Sequence, residues 1–126
     1  MKKFRLLVYE DDGDWFNSFI FNIKPRLYRK DIELIPLNKL DSNTVMQDLE
    51  FSPDLIMVDY DLGTETGKEV IEQMEGDPQL SKTSIFLYSG GVTIDFLKEL
   101  ANKLGGGITC FTKDDERLQE AVISKG

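Results

Sequence analysis

Asp59 closes the apolar run Leu55-Ile56-Met57-Val58, and Asp61 stands two positions beyond it. Near the N-terminus, Leu6-Leu7-Val8-Tyr9 leads in the same way into Glu10, Asp11 and Asp12. Ser89 closes Ile85-Phe86-Leu87-Tyr88, and Lys113 follows Phe111 by two residues. Apolar runs of this kind read as strands buried on both faces, as in a parallel sheet. Each polar group would then sit at a carboxyl end, where open α/β sheets keep their ligand crevice. Carboxylates converging at ~4–6 Å raise one another's pKa unless a cation holds them. Hard oxygen ligands with no histidine point to Mg²⁺ or a similar ion. Such an ion, facing the Lys113 ammonium and the Ser89 hydroxyl, makes a receptor for a three-oxygen anion, and phosphoryl is the obvious one. Asp59 would be the nucleophile and would form an aspartyl phosphate. The ion and Lys113 would balance charge on the equatorial oxygens during transfer. Gly90, beside Ser89, leaves room for the group.

The elements that must position these residues alternate regularly. A strand over residues 4–9 precedes a helix with Trp15, Phe16, Phe19, Ile20, Ile23 and Leu27 at helical spacing. Asp14 is its expected N-cap, and Pro25 should kink or end it near Lys24. A second strand is predicted over 32–37, then a short helix over 42–50 capped by Ser42. The third strand spans 55–59. A helix over 66–75 turns Val70, Ile71 and Met74 inward and stops at Gly76-Asp77-Pro78. The fourth strand ends at Ser89-Gly90-Gly91. The next helix carries Ile94, Leu97, Leu100, Ala101 and Leu104 and stops at three glycines. A fifth strand over 108–111 and a short helix over 115–124 complete the chain. Five βα units predict one doubly wound five-stranded parallel sheet with about five helices on both faces, and a common order for such a sheet is 2-1-3-4-5. In that order the switch point lies between strands one and three, the two that end in acids.

Composition narrows the possibilities. The chain has 126 residues, enough for one domain with a real core, and no repeat or linker suggests a second. Fifteen basic against 23 acidic residues give a net charge of −8, which argues against nucleic acid or anionic lipid as the main partner. Cys110 is the single cysteine, so a disulfide framework is excluded and a reducing, cytoplasmic compartment is expected. Lys2-Lys3 and the short apolar run after them meet acids too soon for an export signal. No stretch approaches the ~20 apolar residues of a membrane span. Histidine is absent, so any histidine chemistry belongs to another molecule.

Over essentially all of residues 1–126 the sequence resembles the receiver domains of two-component response regulators. The resemblance rests on the acid pair Glu10-Asp11, on Asp59 after Pro53-Asp54 and the apolar strand, and on Gly67 eight residues beyond Asp59. Ser89 with Gly90 after strand four, and Lys113 after strand five, complete the set. It implies that Asp59 is the phosphoacceptor, that Asp11 and Asp59 bind Mg²⁺ directly, and that Glu10 helps through water. It also implies that Asp61 gives its backbone carbonyl to the metal, while Ser89 and Lys113 bind the phosphoryl group. The phosphodonor would be a histidine kinase or histidine phosphotransfer protein. The output would pass to a protein partner or a further domain, with a homodimer left open. Beyond self-phosphorylation and slow autodephosphorylation, no enzymatic activity is implied.

Three departures stand out. Asp114 occupies the place of the family's usual cis-proline after the lysine, so a different loop path is expected. Cys110 stands where a switch aromatic is expected, with Phe111 beside it as a substitute. Gly63 replaces a common proline and should loosen the loop after Asp59. Plainer readings stay open: a solvated acidic turn at Glu10-Asp11-Asp12, a loop acid at Asp61, a surface charge cluster at Lys113-Asp114-Asp115. Two other classes fit in part. One is a degenerate receiver that acts as a phosphorylation-independent interaction module. The other is a haloacid-dehalogenase-type phosphatase, whose D-x-D motif Asp59-Tyr60-Asp61 matches. Gly63 stands where that family wants Thr or Val, and its motif follows the first strand.

Overall fold

A computed structural model describes residues 1–126, apart from the side chain of Gln79. The strands are β1 (Lys2–Tyr9), β2 (Ile32–Lys39), β3 (Leu55–Asp59), β4 (Ser84–Ser89) and β5 (Ile108–Thr112). The helices are α1 (Gly13–Tyr28), α2 (Val45–Asp48), α3 (Gly67–Met74), α4 (Ile94–Leu104) and α5 (Arg117–Lys125). All strand pairs are parallel, as the alternation of elements predicts, and the order is the expected β2-β1-β3-β4-β5.

The period-2 alternation of a strand divides the core. Phe4, Leu6 and Val8 of β1, with Leu55 and Met57 of β3, pack under α1 and α5 with Phe19, Ile23, Leu27, Leu118 and Val122. Leu7 and Tyr9, with Ile56 and Val58, face Val45, Val70, Ile71, Met74 and Leu97 on the other side. Every residue of β3 is buried, which explains its unbroken apolar run. No helix among the described residues is long and apolar enough to cross a membrane.

Local boundaries differ where side chains compete for caps. Asp12, not Asp14, caps α1: its carboxylate accepts from the Trp15 amide at 3.1 Å, and Asp14 lies in the first turn. Pro25 does not end α1, which runs on to Tyr28. The amide that Pro25 lacks would have served the Phe21 carbonyl, and both residues are exposed, so water can take its place. Ser42 does not cap a helix either. Its amide and hydroxyl both donate to the Glu65 carboxylate, tying the loop after β2 to the loop after β3. The helix expected over 42–50 accordingly shrinks to α2 and a 3₁₀ turn, Leu49–Phe51, while α5 starts two residues later than expected.

Asp48 is the anchor of this corner. It is buried, accepts from the Tyr9 hydroxyl at 2.8 Å and from the Thr44 hydroxyl at 2.9 Å, and lies 3.5 Å from the Lys39 ammonium. Burial first, then the Asp48 carboxylate, holds the Tyr9 phenol well above its ordinary pKa. Asp48→Ala would strand the buried Tyr9 hydroxyl, and a loss of about 2–4 kcal/mol in urea unfolding is expected. Asp48→Asn keeps an acceptor and should lose less than half of that.

Candidate functional site

The parallel register brings the polar residues to one edge of the sheet. Tyr9 pairs with Val58, Asp59 with Tyr88, and Ser89 with Thr112, so the residues that follow emerge side by side. Glu10, Asp11 and Asp59 each offer a carboxylate oxygen within 4.8 Å of the others. Glu10 and Asp59 are buried and Asp11 is exposed. The Lys113 ammonium reaches in from the loop after β5 and lies 3.0 Å from Glu10 Oε1 and 3.1 Å from Asp59 Oδ2. Asp11, Asp59, Asp61, Gly90, Gly91 and Lys113 line an open depression above them.

Each buried oxygen has a partner. Glu10 Oε2 accepts from the Asp12 amide at 3.1 Å, and Oε1 from the Tyr88 hydroxyl at 3.0 Å. Asp59 Oδ1 accepts from the Asp61 amide at 3.0 Å. Burial pushes the Asp59 carboxyl up, the neighbouring Glu10 adds to it, and the Asp61 amide and Lys113 only partly oppose them, leaving it at about 7. For Lys113 burial acts downward, but bonding to Glu10 and attraction to Asp59 win and hold the ammonium above its ordinary value. Three carboxylates against one ammonium leave two negative charges in excess when all are ionised. A divalent, oxygen-seeking cation matches both that excess and the donor set.

The other predicted residues have distinct positions. Asp61 is exposed, and its carboxylate accepts from the Gly63 amide at 3.0 Å. The bridge between Asp61 and Thr66 uses the Tyr60 and Glu65 carbonyls as acceptors, and neither bond engages the Asp61 carbonyl. Ser89 is buried at the end of β4 with its hydroxyl oxygen accepting from the Gly91 amide at 3.0 Å, set back from the depression. Its carbonyl accepts from the Lys113 amide at 2.9 Å, which anchors the lysine's backbone. Gly67 starts α3 hard against the site: a Cβ there would lie 2.6 Å from the Asp59 carbonyl oxygen. Only glycine permits that approach.

All three departures take definite shape. Every peptide bond among the described residues is trans, Lys113–Asp114 included. Gly63 has φ +80°, a region closed to proline, and its amide is bonded to Asp61. Phe111 cannot stand in for the missing aromatic. Strand alternation turns it to the α1/α5 side, buried against Phe86 at 5.1 Å, while Cys110 faces the α4 side.

Helical spacing alone assigns Trp15 to the core, and it is half-buried there. It also stacks on Tyr88 at 5.0 Å and on Phe19 at 5.1 Å, and the Lys113 ammonium lies 4.9 Å from its ring centre. Tyr88 read only as strand apolar. No sequence signal marks either residue as part of the site, because their meeting depends on the approach of α1 to β4.

The chain aligns over 98% of its length with 89% of the signal receiver domain of a Luxo repressor protein from Vibrio parahaemolyticus, at 21% identity and a TM-score of 0.70. It aligns over 97% with 96% of the signal receiver domain of the DNA-binding response regulator merR from Colwellia psychrerythraea, at 23% identity and a TM-score of 0.66. The phosphorylated cyanobacterial phytochrome response regulator RcpA matches over 97% of this chain and 90% of its own, at 21% identity and a TM-score of 0.68. No family model matches the sequence, and neither does any curated protein. The fold is that of response-regulator receiver domains.

Proposed function

We propose that residues 1–126 form a phosphoacceptor receiver domain, in which Asp59 takes a phosphoryl group from a partner histidine in a Mg²⁺-dependent reaction. The observation that carries this reading is the meeting of Glu10, Asp11 and Asp59 within 4.8 Å, with Lys113 bridging Glu10 and Asp59, at the edge where β1 and β3 end. Glu10, Asp11 and Asp59 would hold Mg²⁺, with the Asp61 carbonyl as a further oxygen. When bound, the ion would favour ionised Asp59 and offset charge on the transferring group. An Asp59 carboxylate oxygen attacks phosphorus as the bond to the donor's leaving atom breaks, and the leaving group departs with that electron pair. Lys113 holds positive charge beside the attacking oxygen. Ser89 would bind the phosphoryl group after its hydroxyl turns from the Gly91 amide. The resemblance to receiver domains implies a histidine kinase or histidine phosphotransfer protein as the donor, and the donor histidine would come from that partner, as this chain has none.

Signalling would run through α4. The Tyr60 ring, in the loop after Asp59, meets Phe96 edge-on at 5.2 Å. That contact and the glycines after Ser89 link the site to the start of α4, whereas Phe111 lies on the far face. Beryllofluoride with Mg²⁺, a mimic of the phosphoryl group, should therefore shift amide resonances at residues 59–63 and 89–97. An unchanged spectrum would favour the degenerate interaction module instead.

Asp11 tests the metal. Its exposed carboxylate has fewer structural duties than Glu10 or Asp59, so Asp11→Ala should fold normally. By calorimetry Mg²⁺ affinity should fall roughly 10- to 100-fold, as expected on loss of a direct ligand. Unchanged affinity would remove Asp11 from the site.

A further inference from the structure

Lys113 carries its charge on a flexible four-carbon stem, which by itself would sample many positions. Here three elements converge on the ammonium. Glu10 and Asp59 take it at 3.0 and 3.1 Å, the Trp15 ring of α1 lies 4.9 Å away, and the Tyr88 ring of β4 lies 5.9 Å away. Both ring distances fall within the range where an aromatic face attracts a cation. The rings brace each other: Trp15 stacks on Tyr88 with 21° between planes and on Phe19 with 17°. Tyr88 also donates its hydroxyl to Glu10 Oε1, the oxygen that Lys113 approaches. One side chain thus orients the lysine's anionic partner and lies under its cationic head.

We propose that Trp15, braced by Tyr88, is a positioning residue that keeps the Lys113 ammonium at the Asp59 carboxylate. The inference rests on the phosphoacceptor reading for its consequence, but not for its geometry. A cation already in place adds charge stabilisation without a search over rotamers at the moment of transfer. Without the rings, the ammonium could leave for water through the open depression.

Side-chain NMR of the full chain without metal tests the geometry. Protons above an aromatic face are shielded, so the Lys113 Hε signals should lie upfield of the other lysines. They should stay largely upfield in Trp15→Phe and move to ordinary values in Trp15→Leu. An unshifted Lys113 in the parent chain overturns the proposal even if Trp15→Leu fails to fold. The second arm measures phosphorylation by a small acyl phosphate with Mg²⁺. Trp15→Leu should slow it roughly 3- to 30-fold, Trp15→Phe should recover most of the rate, and Lys113→Ala should erase the difference. An equal loss in the Lys113→Ala background would mean that Trp15 acts through the fold, and would overturn the inference. If the parent takes no phosphoryl group at all, the receiver function fails, while the Lys113 signals still decide the positioning role.

Discussion

Asp59→Asn is expected to abolish the acid-stable, base-labile mass increase of one phosphoryl group that the parent chain should show with a small acyl phosphate and Mg²⁺. The expectation follows from how the other carboxylates are committed. Glu10 is buried, with one oxygen turned to Tyr88 and Lys113 and the other to the Asp12 amide. Asp61 is exposed and bonded to Gly63, outside the bridging reach of Lys113. Asp59 alone combines a rigid strand end, an amide at Oδ1 and an ammonium at Oδ2. Asparagine preserves the shape but offers an amide in place of the nucleophilic carboxylate oxygen. Labelling of the variant as strong as that of the parent would remove Asp59 from the reaction.

The second large effect is on stability without metal. The folded Asp59 carboxyl titrates at about 7, against an ordinary value of 3.8. Well below pH 3.8 it is neutral in both folded and unfolded chains and costs nothing. As pH rises from there through 7, the unfolded chain releases its proton first, so stability is lost across this window and the loss is complete above it. About 4 kcal/mol is the upper size of that loss. Lys113 has the opposite placement: its raised value gives stability that is present below its ordinary titration range and lost only in strong alkali. Rising net negative charge also destabilises the chain generally, so the comparison must be with Asp59→Asn. In urea unfolding followed by the fluorescence of Trp15, the variant should match the parent near pH 4 and exceed it at pH 8. Mg²⁺ at about 100 times its dissociation constant should return about 2.7 kcal/mol to the parent at pH 8 and much less to the variant. Parallel pH profiles for the two chains would refute the titration argument.

How far the sequence reaches can be judged from particular residues. The unbroken run ahead of Asp59 marks a strand buried on both faces, and the alternation with helical spacing sets a parallel sheet and its chain direction, while the order of the strands follows the known fold type. Once those hold, Glu10, Asp11, Asp59, Ser89 and Lys113 must lie along one sheet edge, because every parallel strand ends there. Caps were less legible. Asp12, Asp14, Ser42 and Thr44 are all chemically able to cap, and which of them does so depends on partners such as Glu65 that lie far away in the chain. Pro25 misleads for a similar reason, since its cost depends on whether the orphaned carbonyl faces water.

Sequence by itself thus determined which chemistry could assemble: four strand ends bearing acids, a hydroxyl and one ammonium, with no histidine to compete. Tertiary structure alone decided how those groups are paired. Lys113 bridges Glu10 and Asp59, the Ser89 hydroxyl turns toward Gly91, and Phe111 is buried on the face away from α4. Trp15 and Tyr88 join the site for the same reason. Periodicity states which face of an element is apolar, but not which neighbour a given ring or ammonium will touch. That is set by the packing of α1 over the ends of β1 and β4, a long-range arrangement that no local pattern encodes.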